Sequence, residues 1–333
     1  MISCDLLIIG AGPAGLFATY YAGMRGLSTV VVDSLTHLGG QVSALYPEKY
    51  IYDVAGLPAV QGRDLISGLV EQARGARPHF VLGEECSTIE DQADGSVVVT
   101  TTVGTAIQCG AVLITGGIGR FTPRPLPAVD AYVGAGIDRV VGPAQDYAGH
   151  DVIIVGGGDS AVDWANMLVE TAKSVSLIHR RERFTAHESS VERVRSSGCR
   201  IITEAEILEI VGESTVEHVR VKDAKQDASE LLPASVIIPA LGHIASLGPL
   251  VNWGLTITGR QIHVATDMAT ARPRVYAAGD ITDYPGKVRL MVVGFGEAAT
   301  AVNNIAVLLR PDEDIFPGHS SELPRMVATG TGG

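Results

Sequence analysis

Cysteine is scarce in this sequence: 333 residues hold four, Cys4, Cys86, Cys109 and Cys199. No two lie within a few residues of each other. That spacing excludes a C-x-x-C redox pair and the paired spacing of a zinc site. The four read as plain buried or half-buried thiols. Basic charge is also short, with 25 Lys and Arg against 37 Asp and Glu, a formal net charge of −12. The balance argues against a nucleic-acid binder and against a polybasic membrane anchor. No apolar run in the sequence approaches the length of a membrane span. The first residues lack the basic leader of a signal peptide, and Asp5 stands where its apolar core would be. The expected setting is the cytoplasm, with neither a membrane nor a nucleic acid as partner.

Glycine, in contrast, is abundant: 39 residues with no collagen-like period. Apolar residues make up 46%. This suits an α/β protein with buried parallel strands. The chain is long enough for two mid-sized domains. One supersecondary unit occurs twice. The apolar strand Leu6-Leu7-Ile8-Ile9 runs into Gly10-Ala11-Gly12-Pro13-Ala14-Gly15. A helix to about Arg25 follows, then a strand 29–32 ending at Asp33. Near the middle, Val152-Ile153-Ile154-Val155 runs into Gly156-Gly157-Gly158-Asp159-Ser160-Ala161. A helix to about Lys173 and the strand 175–178 follow. Each is a βαβ unit and implies its own doubly wound domain.

Between the two units, 96–102 and 105–108 read as a hairpin, and 111–115 as a further strand. Glycine-containing breaks at 116–119 and at Leu241-Gly242-His243 flank the central unit. They suggest an inserted domain on two linkers. The expected division is a discontinuous first domain, 1–114 with 245–333, and a second domain, 115–244.

The first glycine motif has its full context: a strand before it, a helix after it, and an acidic residue ending the next strand. Gly10 makes the turn, Gly12 lets the backbone approach a pyrophosphate, and Gly15 allows tight helix–strand packing. The N-terminus of the helix that begins with Pro13 and Ala14 offers unpaired N–H groups and partial positive charge to that pyrophosphate. Asp33 would accept from both ribose hydroxyls and would repel a 2′-phosphate. This site suits FAD or NAD. Late in the chain, Arg274-Val275-Tyr276-Ala277-Ala278-Gly279-Asp280 reads as a buried strand ending in a carboxylate. Asp280 could bond the ribityl chain of a flavin, which NAD lacks. Gly294-Phe295-Gly296-Glu297 then opens a helix whose positive end could face the flavin.

The second motif, Gly156-x-Gly158-x-x-Ala161, has alanine in its third place. After the next strand, where a NAD site would carry an acid, stands His179-Arg180-Arg181-Glu182-Arg183. Guanidinium groups bind a phosphate bidentately. Gly156, Gly158, Asp159, Ser160, His179, Arg180 and Arg181 are therefore the expected NADPH site.

Two dinucleotide motifs, a split first domain and the Gly279-Asp280 strand end resemble the low-molecular-weight thioredoxin reductases. Those carry a C-x-x-C pair just before the second fingerprint, whereas 134–149 here holds no cysteine. Three segments are more similar to the thioredoxin-reductase-type ferredoxin–NADP⁺ reductases: Leu38-Gly39-Gly40-Gln41, the run from Leu45-Tyr46-Pro47 to Gly56, and Phe316-Pro317-Gly318-His319-Ser320-Ser321. The resemblance covers nearly the whole chain. It implies a flavoenzyme that carries electrons between NADPH and ferredoxin or flavodoxin.

By position, the resemblance assigns Asp33 to the adenosine ribose and places Gly40, Gln41 and Tyr46 at the flavin. It places the backbone around Cys86 at the adenine, although an aliphatic side chain would be expected there. Phe121, Asp280 and Ser321, with Ser320, should complete the FAD site. It also implies a homodimer in which His319 reaches a flavin of the partner subunit. No side-chain acid, base or nucleophile is demanded by this chemistry. Two other readings stay open from the residues: a flavin-dependent NADPH reductase for another acceptor, such as a quinone or a partner disulfide, and a non-enzymatic NADPH-sensing flavoprotein.

Overall fold

In the computed structural model, residues 1–132, 134–223 and 228–319 are described. Backbone contacts divide the chain into two units, Met1–Arg120 with Ala245–Gly333, and Phe121–Ile244.

The first unit is built on the strand Ile2–Ile9. Leu6, Leu7 and Ile8 are each fully buried, because both faces of this strand are covered. That is why the run is continuously apolar and not alternating. It pairs in parallel with Thr29–Asp33 on one side and Ala106–Ile114 on the other. Thr29–Asp33 pairs with His79–Leu82, and Ala106–Ile114 with Val275–Ala277, again in parallel. Val97–Thr101 and Cys86–Asp91 extend the sheet antiparallel. On one face Leu7, Val32 and Val112 pack with Trp253. On the other, Leu6, Ile8 and Leu113 pack against Ala18 and Ala22 of the helix Pro13–Met24 and against Ala298, Val302 and Ile305 of the helix Met291–Leu309.

The expected break between 108 and 111 does not occur. Ala106–Ile114 is one strand that follows Ile2–Ile9 along its length. Gly110 is there for closeness: a Cβ on it would lie 2.6 Å from a Leu309 methyl carbon. The linker expectation shifts too, for the first crossing lies between Arg120 and Phe121 and not at 114/115. The turn 115–119 is packed into the first unit. A Cβ on Gly119 would overlap the Ser246 carbonyl, and one on Gly10 would lie 2.7 Å from the Thr115 carbonyl oxygen.

One helix corrects the reading of hydropathy. Met291–Leu309 is 19 residues long with mean hydropathy 1.5, enough by length and composition to cross a membrane. Its Ala298, Ala301, Val302, Ile305 and Ala306 are buried in the protein core. One face of this apolar helix is thus a core face, while Val292 and Leu308 are exposed.

The second unit repeats the arrangement on a smaller scale. Asp151–Val155 pairs in parallel with Ser174–His179 and with Val236–Pro239, and Ser174–His179 pairs with Arg200–Thr203. Trp164 and Leu168 of the helix Asp159–Leu168 cover Val152 and Ile154 on one face. This helix stops short of Lys173, whose N–H is held by the His150 carbonyl at 3.0 Å. The opposite face, with Ile153 and Val155, is closed by Val219, Val221 and Leu232. These come from an antiparallel sheet of Ala205–Val211, His218–Asp223 and Ala228–Pro233. In both units the glycine turn follows a central strand flanked by strands that wind off in opposite directions. That is the switch point at which doubly wound sheets bind nucleotides.

Candidate dinucleotide sites

At the end of Ile2–Ile9 the chain turns at Gly10, φ +109°. Thr115 Oγ1 donates to the Gly10 carbonyl at 2.9 Å and pins the turn. A Cβ on Gly15 would overlap that same carbonyl, so the helix can sit against the strand only if Gly15 has no side chain. Gly12 is the N-cap of the helix and Pro13 its first residue, with no side-chain cap. The first-turn N–H groups are thus left for a ligand. Gly40, φ +55°, lies so close that its Cβ would stand 2.8 Å from the Gly12 Cα. Two bare backbones face one another where a pyrophosphate needs close approach, so the residues present fit a bound dinucleotide.

Asp33 ends the next strand and is 91% buried, being 9% exposed. Its Oδ2 accepts the Ala11 N–H at 2.6 Å and its Oδ1 the Leu35 N–H at 2.8 Å. Burial raises its pKa above the ordinary aspartate value, and the Leu35 and Ala11 hydrogen bonds oppose the rise. The Glu84 N–H donates to the Asp33 carbonyl at 3.1 Å, which brings the backbone leading to Cys86 to this strand end. The Cys86 thiol itself is in the core, pushed up to about 12 by burial.

The Gly279-Asp280 turn joins the same place. A Cβ on Gly279, φ +84°, would lie 3.3 Å from the Ala14 Cβ, and one on Gly294 would lie 3.3 Å from the Gly279 Cα. Asp280 makes no hydrogen bond or ion pair among the described residues. Tyr46 is half-buried, and its hydroxyl pKa is raised by burial and then by the Asp280 and Asp53 carboxylates. Gln41 reaches Gly117, where a Cβ would stand 2.5 Å from its Nε2.

The other four expected members are Phe121, His319, Ser320 and Ser321. Phe121 belongs to the second unit, where its ring meets His243 edge-on at 5.5 Å. His319 is exposed, and its ring meets Phe316 at 5.3 Å. Ser320 and Ser321 lie outside the described residues.

Two arrangements escaped the sequence reading. Arg25, at the end of the first helix, has a side chain only 2% exposed. It donates to Asn303 Oδ1 at 2.7 Å, to the Asp314 and Ile315 carbonyls at 2.9 and 3.1 Å, and to Glu313. The start of the C-terminal extension is therefore clamped. The second is a buried Lys287–Glu297 pair beside Gly279. A lone carboxylate inside so apolar a helix was the available signal.

At the second turn, a Cβ on Gly156 would overlap the Ala240 carbonyl. Gly158 is the N-cap of its helix, again with no side-chain cap, and Asp159 and Ser160 are exposed at its start. Asp159 Oδ1 accepts the His187 N–H at 2.9 Å. The His179 ring stacks on Phe184 at 5.2 Å and lies over Gly157, where a Cβ would overlap it. Burial lowers the His179 pKa, the hydrogen bond with the Arg183 carbonyl opposes this, and Arg181 and Arg180 lower it further. Arg180 and Arg181 are exposed and make no ion pair among the described residues, which leaves both guanidinium forks available to an anion.

Cys4 and Cys109, 105 positions apart, are register partners on adjacent strands. The Cys109 thiol hydrogen bond holds Cys4 below the usual thiol range, and the same bond with burial raises Cys109. Neither lies in 134–149, where the thioredoxin reductases carry their pair. Changing all four cysteines to alanine is expected to leave NADPH-driven reduction of the acceptor intact. Loss of turnover in a folded, FAD-loaded variant would show a redox thiol at work.

A sheet unit carrying one glycine fingerprint, interrupted by a second unit carrying another, defines a two-dinucleotide oxidoreductase. The chain belongs to the pyridine nucleotide-disulphide oxidoreductase family, whose profile matches residues 4–303, and within it to the ferredoxin–NADP reductases. It is 54% identical over 324 residues to the ferredoxin–NADP reductase of Nocardioides sp. (strain ATCC BAA-499 / JS614), covering 96% of this chain and 98% of that protein. It is 53% identical to that of Salinispora arenicola (strain CNS-205), covering 97% and 99%. Among solved structures, the thioredoxin reductase of Lactococcus lactis superposes with a TM-score of 0.73 at 23% identity, covering 92% of this chain and 99% of that one. That likeness concerns the fold.

Proposed function

We propose that this protein is an FAD-dependent ferredoxin–NADP⁺ reductase, exchanging electrons between NADPH and ferredoxin or flavodoxin. One contrast carries the reading. The first fingerprint ends on a buried carboxylate, Asp33, and the second on free guanidinium groups, Arg180 and Arg181. One site repels a 2′-phosphate and the other receives it. Bound FAD would accept two electrons from NADPH and pass them singly to a one-electron partner.

The chain's own groups bind and orient. The uncapped helix start at Gly12, Pro13 and Ala14 takes the FAD pyrophosphate, with Gly10, Gly15 and Gly40 permitting its approach. Asp33 takes the adenosine ribose, the backbone at Cys86 the adenine, and Asp280 the ribityl chain. Gln41 and Tyr46 border the flavin ring. In the second unit, Gly156, Gly158, Asp159 and Ser160 form the pyrophosphate turn of NADPH. His179 packs behind that turn and leaves the two arginines outward. The absence of cysteine in 134–149 favours this reading over reduction of a partner disulfide. The acidic balance favours a cytoplasmic protein that engages neither membrane nor nucleic acid.

The test is direct. The purified protein is mixed with NADPH and with either ferredoxin or thioredoxin. Reduction of ferredoxin and not of thioredoxin is expected, and the opposite result overturns the reading.

A homodimer is the proposed assembly, with Phe121, His319, Ser320 and Ser321 completing the flavin surround. His319 then acts as a gate on the flavin face opposite Tyr46. His319→Ala, or a chain ending before Phe316, is expected to keep NADPH affinity while changing the rate of flavin reduction and the visible spectrum. Parent-like spectra and rates in both variants would remove the gate. Sedimentation as a monomer would remove the dimer independently.

A further inference from the structure

The Lys287–Glu297 pair is the one ion pair among the described residues in which both side chains are almost wholly inaccessible, 2% and 5% exposed. Burying two charges is costly unless each is paired and its remaining hydrogen-bonding capacity is met. Here it is met around a single residue. Glu297 Oε2 accepts the Gly279 N–H at 2.7 Å and lies 3.4 Å from Thr282 Oγ1. Glu297 Oε1 accepts from the Tyr284 hydroxyl at 2.6 Å and from the Lys287 ammonium. Lys287 Nζ turns back and donates to the Gly279 carbonyl at 3.0 Å, where Thr282 Oγ1 also donates at 2.8 Å. The ammonium stands 5.5 Å from the centre of the Tyr284 ring.

Both backbone groups of Gly279 are therefore gripped by one charged pair: its N–H by the carboxylate, its C=O by the ammonium. Gly279 has φ +84°, touches Ala14 of the first fingerprint and is followed by Asp280. Glu297 rides on the first turns of Met291–Leu309, and Gly294 of that helix meets the Gly279 Cα. The pair thus ties three pieces of the first site to one another: the fingerprint turn, the Asp280 turn and the start of the last helix. A core salt bridge of purely structural value has no reason to converge on the one backbone residue that aims Asp280.

We infer that Lys287 and Glu297 are positioning residues for FAD, fixing the Gly279 peptide so that Asp280 and the start of the last helix present a set geometry to the flavin. The inference rests on the assignment of FAD to the first site.

Three variants separate positioning from stability. Removing both charges together, Lys287→Met with Glu297→Leu, leaves no unpaired buried charge, so folding is retained. The Gly279 N–H loses its partner, and the Gly279 C=O loses its charged donor while keeping Thr282. The FAD dissociation constant is expected to rise about tenfold or more, as for loss of a hydrogen bond to a charged group. The visible bands of bound FAD should shift, while NADPH affinity at the second site stays unchanged. Glu297→Gln, isosteric but uncharged, should shift the bands in the same direction. Parent-like FAD affinity and spectrum in the folded double variant overturn the inference. Should the double variant not fold, Tyr284→Phe decides. It deletes one hydroxyl and should weaken FAD measurably, and unchanged affinity there overturns the inference equally. If the parent protein itself takes up no FAD, the assignment of the first site fails and not this inference alone.

Discussion

Replacing Arg180 and Arg181 together with neutral residues is expected to erase the preference for NADPH over NADH. Both side chains are exposed and unengaged among the described residues, so nothing else in the protein should suffer. A 2′-phosphate bears nearly two negative charges, and a charge-assisted contact to it contributes about 1.5–3 kcal/mol. Solvent screening reduces that for exposed groups. Two such contacts still change the NADPH-to-NADH ratio by about tenfold to a hundredfold. NADH affinity should hardly move, because NADH has no group for the arginines to meet. The measurement is the ratio of kcat/KM for the two nucleotides. A double variant that still prefers NADPH by the parent's factor would place the phosphate elsewhere.

A second large effect is expected from Gly15→Ala. The new methyl would overlap the Gly10 carbonyl oxygen and stand 2.7 Å from Thr115 Oγ1. The hydroxyl can rotate away, but the carbonyl is part of the turn that Gly10 makes at φ +109°. Either the helix Pro13–Met24 lifts from the strand or the turn opens. Overpacking of this kind costs about 1–3 kcal/mol even where side chains yield, and here backbone must yield. The variant should purify with little or no FAD and with a lowered melting temperature. The same change at Gly68, whose added Cβ would meet nothing within 4 Å, should have neither effect. Full FAD occupancy in Gly15→Ala would mean that the turn does not carry the pyrophosphate.

The two fingerprints were legible because their chemistry is local. A turn that needs glycine, a helix start that needs no cap, and an acid or a base at the next strand end all fall within one βαβ unit. What the sequence concealed was assembled from distant pieces. Gly110 read as a break because glycine in a strand usually marks one, yet its partner is Leu309 at the far end of the chain. The sheet 205–233 was not read, since charged residues such as Glu206, Glu209 and Glu230 interrupt its apolar pattern. Its buried set, Ile207, Val219, Val221 and Leu232, emerges only when the strands face the parallel sheet. Lys287 carries no local signal, and only the fold shows Glu297 beside it.

The grip of Arg25 on the extension has an evolutionary corollary. Two of its hydrogen bonds go to main-chain oxygens, those of Asp314 and Ile315. Every residue type supplies the same oxygen, so side chains at these two positions can drift among species without loosening the anchorage. Arg25 itself has no such freedom, because lysine lacks the forked donors that reach two successive carbonyls. Selection should therefore hold the arginine while letting the segment it fastens diversify.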